Sequence, residues 1–130
     1  MENENMVGLV IMVLCCWSCA GLFFGIGFCA QKQEKPMHFW AGTTIDPRSI
    51  TNIPAYNLEN ARMWMLYSIP YWLAGAVVLF FRGSDFGTIA AVILLLAACV
   101  PGIPMLIAHY RRIERKYIKT QSTRKMRRYE

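Results

Sequence analysis

Five cysteines are the most reactive side chains of this sequence, and two of them have the spacing of a redox motif. Cys16 and Cys19 form a C-x-x-C pair, as in thiol oxidoreductases. The pair lies inside a long uncharged stretch, where a thiol is hard to ionise, and the thiolate is the reactive form. We therefore expect the cysteines to be small apolar packing residues. They are Cys15, Cys16, Cys19, Cys29 and Cys99.

The two histidines do not predict a metal site. Neither His38 nor His109 has a Cys, His or Asp partner at ligand spacing. The sequence also contains no phosphate-binding loop, zinc-protease motif or serine-hydrolase motif. We therefore expect no enzyme activity, no metal and no cofactor.

The composition is that of a membrane protein rather than a soluble domain. Of the 130 residues, 55% are hydrophobic and 17% are charged, whereas soluble proteins carry about 25% charged residues. Nine of the 14 Lys and Arg residues lie between positions 111 and 128. This distribution excludes a soluble basic nucleic-acid module and predicts a single membrane domain over residues 1–130.

Three stretches without charged side chains are long enough to cross a membrane. Residues 6–30, 63–81 and 86–108 contain 25, 19 and 23 residues. As helices they would span about 38, 28 and 34 Å, compared with a hydrocarbon core of about 30 Å. The chain before the first stretch is acidic, unlike the basic start of a signal peptide, so we expect this helix to be retained. The predicted fold is an all-α membrane protein with three transmembrane helices.

The connection between the second and third stretches predicts an antiparallel hairpin. Arg82-Gly83-Ser84-Asp85 has turn chemistry and leaves room for nothing longer. Pro70 in the second stretch, and Pro101 and Pro104 in the third, are expected to kink the helices, because proline lacks the N–H of the helical hydrogen bond.

The positions of Lys and Arg predict the orientation in the cell membrane. The N-terminal segment has none, the loop 31–62 has four, the short turn has one and the tail 109–130 has nine. Basic short loops remain in the cytoplasm. The N-terminus is therefore expected outside, with the long loop and the tail inside.

The inside loop and the tail carry aromatic side chains at the same depth, and we expect them to form an aromatic cap. Asp46-Pro47 predicts a short helix in the loop, and a longer helix should begin near Pro54 and enter the membrane near Met63. The tail has an apolar stripe along a basic helix: Leu106, Tyr110, Ile113 and Tyr117. The candidate ligand or cap surface is His38, Trp40, Asn57, Asn60, Trp64, Tyr110 and Tyr117.

The basic tail is a candidate surface for anionic headgroups, at about 1 kcal/mol for each residue near the bilayer. An acidic membrane-protein partner is the alternative, nucleic acid is less favoured, and the charges also act as a topology signal. These residues are Arg111, Arg112, Arg115, Lys116, Lys119, Arg124, Lys125, Arg127 and Arg128.

Small residues in the first stretch predict close helix packing. Gly21 and Gly25 form a G-x-x-x-G pattern, which lets two helices approach closely. The partner would be the hairpin of the same chain or a second copy in a homo-oligomer.

The loop and the start of the second helix carry a distinctive run of residues: Lys35-Pro36-Met37-His38-Phe39-Trp40-Ala41-Gly42, Ile45-Asp46, Ile50, Tyr56-Asn57, Asn60 and Met63-Trp64. With the tail residues 112–117, this run resembles a group of small three-helix membrane proteins of Gram-positive bacteria. The resemblance covers most of the chain from about residue 20. It implies the three-helix topology and does not indicate an activity.

A second likeness rests on fewer residues. Trp40-Ala41-Gly42-Thr43 followed by residues 57–64 is similar to the membrane immunity and signalling protein of the sporulation-delaying toxin system. This sequence lacks the Arg that usually stands between that Gly and Thr, so the likeness alone carries no function.

Three functions follow from these patterns, in order of preference. The first is a non-enzymatic multi-pass membrane protein that acts as an accessory, sensor or immunity subunit through its inside loop and basic tail. The second is an oligomeric small-molecule or ion transporter or channel, with Pro70 and Pro101 as hinges. The third is a membrane thiol-redox protein that uses Cys16 and Cys19.

Overall fold

The described chain is helical almost throughout. The computed structural model describes residues 2–39, 44–82 and 84–118. The elements are α1 (Glu2–Ala30), a 3-10 turn (Pro47–Ser49), α2 (Ile53–Phe80), α3 (Asp85–Cys99) and α4 (Gly102–Tyr117). Three helical segments are long and apolar enough to cross a membrane: Asn3–Ala30, Ile53–Phe80 and Asp85–Tyr117. The all-α prediction and its three apolar helices are confirmed.

Polar side chains set the starts of these elements. The Asp46 carboxylate accepts a hydrogen bond from the Arg48 N–H at 2.9 Å and caps the 3-10 turn. The Asn52 side chain accepts from the Ala55 N–H at 3.1 Å at the start of α2. These N-caps set the starts of the 3-10 turn and of α2. α2 begins at Ile53, one residue before the predicted Pro54.

The third apolar stretch is interrupted rather than only kinked. α3 ends at Cys99 and α4 begins at Gly102, with Val100 and Pro101 between them. Pro101 has no N–H to donate to the carbonyl one turn earlier, and its ring crowds that carbonyl. The helical chain continues through Pro70, which lies inside α2. The two prolines therefore act differently.

A tyrosine from α2 supports the interruption. The Tyr67 hydroxyl donates a hydrogen bond to the Ala98 carbonyl at 3.0 Å. Carbonyls at a helix end lack intrahelical donors and need another partner. Tyr71 donates in turn to the Tyr67 hydroxyl at 3.3 Å. Tyr67 thus holds α2 against the end of α3.

Tyr67→Phe is expected to lower the thermal stability of the detergent-solubilised protein. The change leaves the Ala98 carbonyl without its donor, which costs about 1–3 kcal/mol for a group removed from water. Tyr71→Phe is the matched control, because the Tyr71 hydroxyl makes only long contacts, 3.3 Å to Tyr67 and 4.0 Å to the Cys99 sulfur. Thermal unfolding followed by tryptophan fluorescence measures both, and an equal loss in the two variants would contradict the role of Tyr67.

Buried side chains join the helices in three places. One cluster contains Val13 and Cys16 of α1, Ala74 and Val78 of α2 and Ala91 of α3. A second contains Ala20, Tyr71 and Ala98. The third is the largest and lies where the loop meets α2 and α4. The other two helical segments, α1 and α3–α4, therefore both pack on α2.

The closest approach of α1 to α2 occurs at glycines that the sequence pattern did not identify. A Cβ atom at Gly27 would lie 2.7 Å from the backbone carbonyl oxygen of Ala61, and a Cβ atom at Gly75 would overlap the Trp17 indole. A Cβ atom at Gly21 or Gly25 would meet nothing within 4 Å among the described residues. Of the two partners expected for Gly21 and Gly25, the described part of the hairpin of the same chain does not reach them. Packing on a second copy stays a prediction.

Candidate functional site

The loop after α1 folds over the start of α2 and the end of α4, and this assembly is the aromatic cap. Tyr56 and Ile113 are its largest buried side chains, 0% and 2% exposed. Its members are Met37, Phe39, Ile50, Tyr56, Asn57, Asn60, Trp64, Tyr110, Ile113 and Tyr117. Since the loop, α2 and α4 each contribute side chains, the aromatic cap connects three separate parts of the chain.

One asparagine binds the loop to α2. The Asn57 side chain, 1% exposed, accepts a hydrogen bond from the Met37 N–H at 2.9 Å. Its amide nitrogen donates to the carbonyls of Gln33 and Lys35, each at 2.9 Å. A single side chain therefore supplies hydrogen-bond partners for three backbone groups of the loop. The loop has no regular structure here that would supply them.

An aromatic stack covers this segment. Phe39 stacks on Trp64 of α2 with ring centroids 5.6 Å apart, and on Tyr110 of α4 at 4.4 Å. Phe23 of α1 stacks on Trp64 at 5.8 Å. Such pairs contribute about 0.5–1.5 kcal/mol beyond the area that they bury. The stack connects α1, α2, α4 and the loop in one series of rings.

The sequence placed His38 and Trp40 in this surface. In the structure His38 is exposed, and its neighbour Phe39 makes the ring contacts. The loop turns the Phe39 side chain toward α2, so His38 does not pack in the aromatic cap, and its role as a candidate ligand residue stays a prediction. Trp40 lies outside the described residues.

Two tyrosines share a buried hydrogen bond. The Tyr56 hydroxyl donates to the Met37 carbonyl at 3.3 Å and lies 3.1 Å from the Tyr110 hydroxyl, which then donates to it. Asn60, 1% exposed, donates to the Tyr56 carbonyl of its own helix at 2.9 Å. Asn57, Trp64 and Tyr110 thus make contacts between elements in the aromatic cap, whereas the Asn60 side chain bonds within α2. Tyr56 was not among the predicted site residues.

The far edge of the aromatic cap joins the loop to the end of α4. Ile50 and Ile118 form an isolated antiparallel bridge, and the Thr51 N–H donates to the Tyr117 carbonyl at 2.9 Å. The Tyr117 hydroxyl donates to the Glu59 carboxylate at 2.7 Å. Tyr117 therefore contacts both the loop and α2, so the end of α4 is held in place by backbone and side chain.

Glu59 also forms an ion pair with Lys116. Glu59 lies one helical turn before Met63, where the second span is predicted to begin. Hydrogen bonds from Lys116 and Tyr117 hold the pKa of the Glu59 carboxyl below its usual range. The Lys116 side chain is 61% exposed, and water screens exposed ion pairs, so the pair adds little to stability. This pair therefore orients α4 on α2 more than it stabilises the fold.

The apolar stripe of the tail helix packs inward. Leu106, Tyr110 and Ile113 are buried in the aromatic cap. The basic residues Arg111, Arg112, Arg115 and Lys116 are exposed on the other faces of α4. The remaining basic tail residues that the sequence predicted, Lys119, Arg124, Lys125, Arg127 and Arg128, lie outside the described residues.

The cysteines do not gather into one site. In α1, Cys16 is 3% exposed, whereas Cys15 and Cys19 are exposed on the helix surface. Within residues 2–39, 44–82 and 84–118, no group of three or more Cys, His, Asp or Glu side chains could hold a metal ion. The aromatic cap is accordingly the region where polar, charged and aromatic groups converge.

No family model, curated protein or solved structure matches this chain. The features that bear on function are therefore the geometry of the aromatic cap and the apolar surface of the helices.

Proposed function

We propose that the chain is an integral membrane protein with three transmembrane helices, of which the second and third form an antiparallel hairpin. Large apolar side chains cover the outside of the helices; Leu14, Leu66 and Ile93 are 58%, 59% and 60% exposed. Exposed apolar surface of this extent is unfavourable in water and suits lipid. Ala74 and Val78 of α2 share a buried cluster with Ala91 of α3, which supports the hairpin.

The proposed orientation places the N-terminus outside the cell membrane and the aromatic cap in the cytoplasm. The loop and tail that build the aromatic cap carry 13 of the 14 Lys and Arg residues, since only Arg82 lies elsewhere. The positive-inside rule assigns such segments to the cytoplasm.

Accessibility labelling tests this topology. In a cysteine-free variant that carries single cysteines, a membrane-impermeant maleimide is expected to label Asn5→Cys and Arg82→Cys on intact cells. Glu34→Cys, on the loop, is expected to react only after permeabilisation. Labelling of Glu34→Cys on intact cells, or protection of Arg82→Cys there, would contradict the proposed orientation.

Within this topology the protein acts as a non-enzymatic accessory, sensor or immunity subunit. The observation that carries this proposal is the bonding of the loop to α2 and α4 through Asn57 and Tyr117. A partner that displaced the loop would break the bond from Thr51 to Tyr117 at the end of α4, just before the basic tail. The aromatic cap therefore couples the loop to the tail.

Photo-crosslinking from the tail helix, combined with the mass of the purified protein in nanodiscs, tests this function. A photoreactive residue at the exposed position Arg111 is expected to crosslink a different membrane protein in cells, and the purified chain is expected to be monomeric. Asn57→Ala should weaken that crosslink, because it releases the loop. A discrete homo-oligomer that crosslinks only to itself would contradict an accessory subunit.

An oligomeric transporter or channel is the second candidate. One observation favours it, because a depression of about 360 Å³ lies beside Pro70 and the interruption at Gly102. The lining of this depression is mainly apolar and does not suit an ion path. A thiol-redox protein is the third candidate, and alkylation of Cys19 by a water-soluble reagent in the membrane would favour it.

A further inference from the structure

Two adjoining depressions beside α2 make up a groove; α3 and α4 line the first, and α4 lines the second. The first has a volume of about 360 Å³ and the second about 310 Å³. Met105 and His109 line both, so the depressions meet at these two residues. The combined volume falls in the range of about 300–1,000 Å³ that is usual for ligand sites.

The groove has an apolar end and a basic end. Along α2 its wall changes from apolar to charged in the order Pro70, Leu66, Met63, Glu59. Along α4 the wall changes in the same direction in the order Met105, His109, Arg112, Lys116. Both series have spacings of three and four residues, which keep them on one face of each helix.

The interruption of the third apolar stretch opens the apolar end. Gly102 has no side chain there, and Ala97 and Ala98 contribute only methyl groups. Pro70 faces the same space from α2. The space that a continuous helix with larger side chains would fill is thus available to another apolar chain.

The basic end carries a net positive charge. Lys116 forms an ion pair with Glu59, so the carboxylate at this end is already neutralised. Arg112 then adds an exposed guanidinium beside His109. A guanidinium is suited to bidentate hydrogen bonds with phosphate oxygens.

We propose that this groove binds one anionic phospholipid of the inner leaflet, with an acyl chain along Leu66 and Ala97 and the phosphate at Arg112. The proposal rests on the membrane topology proposed above, which puts the apolar end in hydrocarbon and the basic end at the cytoplasmic surface. A second copy of the chain suits the groove less, because an isologous contact would bring like charges together. The bound lipid also contacts the end of α4 that the aromatic cap holds.

Native mass spectrometry of the purified protein tests the site, with phosphatidylglycerol and phosphatidylcholine of the same acyl chains as probes. One phosphatidylglycerol is expected to bind more tightly than phosphatidylcholine. Arg112→Gln should weaken binding of phosphatidylglycerol about fivefold, as expected for one charge near the surface. Ala97→Phe, which fills the apolar end, should weaken binding of both lipids.

Two variants are matched controls. Arg62→Gln removes an exposed charge from α2, and Val92→Phe adds the same ring at another exposed position of α3; neither residue lines the groove. Both should bind phosphatidylglycerol as the parent does. Equal losses for Arg62→Gln and Arg112→Gln, equal affinity for the two lipids, or a lipid-free dimer would each overturn the proposal. These outcomes leave the maleimide labelling of Glu34→Cys and Arg82→Cys unchanged, so they are distinguishable from failure of the topology.

Discussion

Gly27→Ala is expected to separate α1 from α2 and to lower the stability of the protein by about 1–3 kcal/mol. The added methyl carbon would lie 2.7 Å from the Ala61 carbonyl oxygen and 2.9 Å from the Met65 Cγ atom. The first of these is a backbone atom, so side-chain rotation cannot relieve the overlap, and α1 must move. Thermal unfolding in detergent, followed by tryptophan fluorescence, measures the loss.

Gly25→Ala is the matched control for this prediction. It makes the same change two residues earlier in the same helix, where a Cβ atom meets nothing within 4 Å among the described residues. Alanine is the better helix former by about 0.5–1 kcal/mol, so Gly25→Ala should leave stability unchanged or raise it. If Gly25→Ala destabilised the monomer as much as Gly27→Ala, this would contradict the close contact of Gly27 with the Ala61 carbonyl. A loss that appeared only in an oligomer would instead support packing of Gly25 on a second copy.

The difference between these glycines explains why the sequence pattern did not identify Gly27. Gly21, Gly25 and Gly27 all stand in a helix that is apolar on every side, so no polar face indicates which side meets α2. The G-x-x-x-G spacing shows that two residues share a face and does not show what that face contacts. Gly27 contacts the backbone carbonyl of Ala61, which is 34 positions away in the sequence. A pattern of side-chain types does not predict the position of a backbone group.

The helices themselves and the buried stripe of α4 could be predicted because their signals are local. Uncharged runs identify the three apolar helices, and α4 alternates apolar and basic residues with helical spacing. Leu106, Tyr110 and Ile113 are buried as that alternation indicates. The interruption at Pro101 exceeds the expected kink because two prolines and Gly102 occur within four residues, 101–104.

The aromatic cap was predicted as a meeting of loop, α2 and α4, but its contacts were only partly identified. Asn57, Trp64 and Tyr110 lie in it, whereas Phe39 takes the place expected for His38. The loop has no regular structure at this point, so residue spacing does not determine which side chain faces α2. The direction of the loop is set by hydrogen bonds between residues 20 or more positions apart.

Asn57→Ala is expected to release the loop from α2. The buried Met37 N–H loses its acceptor, which costs about 1–3 kcal/mol. Gln33 and Lys35 are exposed, so water can replace the donors that their carbonyls lose. Hydrogen exchange at the Met37 amide should accelerate, and thermal stability should fall.

Asn60→Ala and Asn57→Asp separate this role from simple loss of a buried amide. Asn60 is equally buried, at 1% exposure, but its amide donates within its own helix to the Tyr56 carbonyl. Asn60→Ala should therefore leave exchange at Met37 slow. Asn57→Asp keeps the acceptor for the Met37 N–H but places a carboxylate against the Gln33 and Lys35 carbonyls, so an intermediate loss is expected. Rapid exchange at Met37 in Asn60→Ala would show that the loop is held by general packing, and the coupling of loop to tail through Asn57 would then fail.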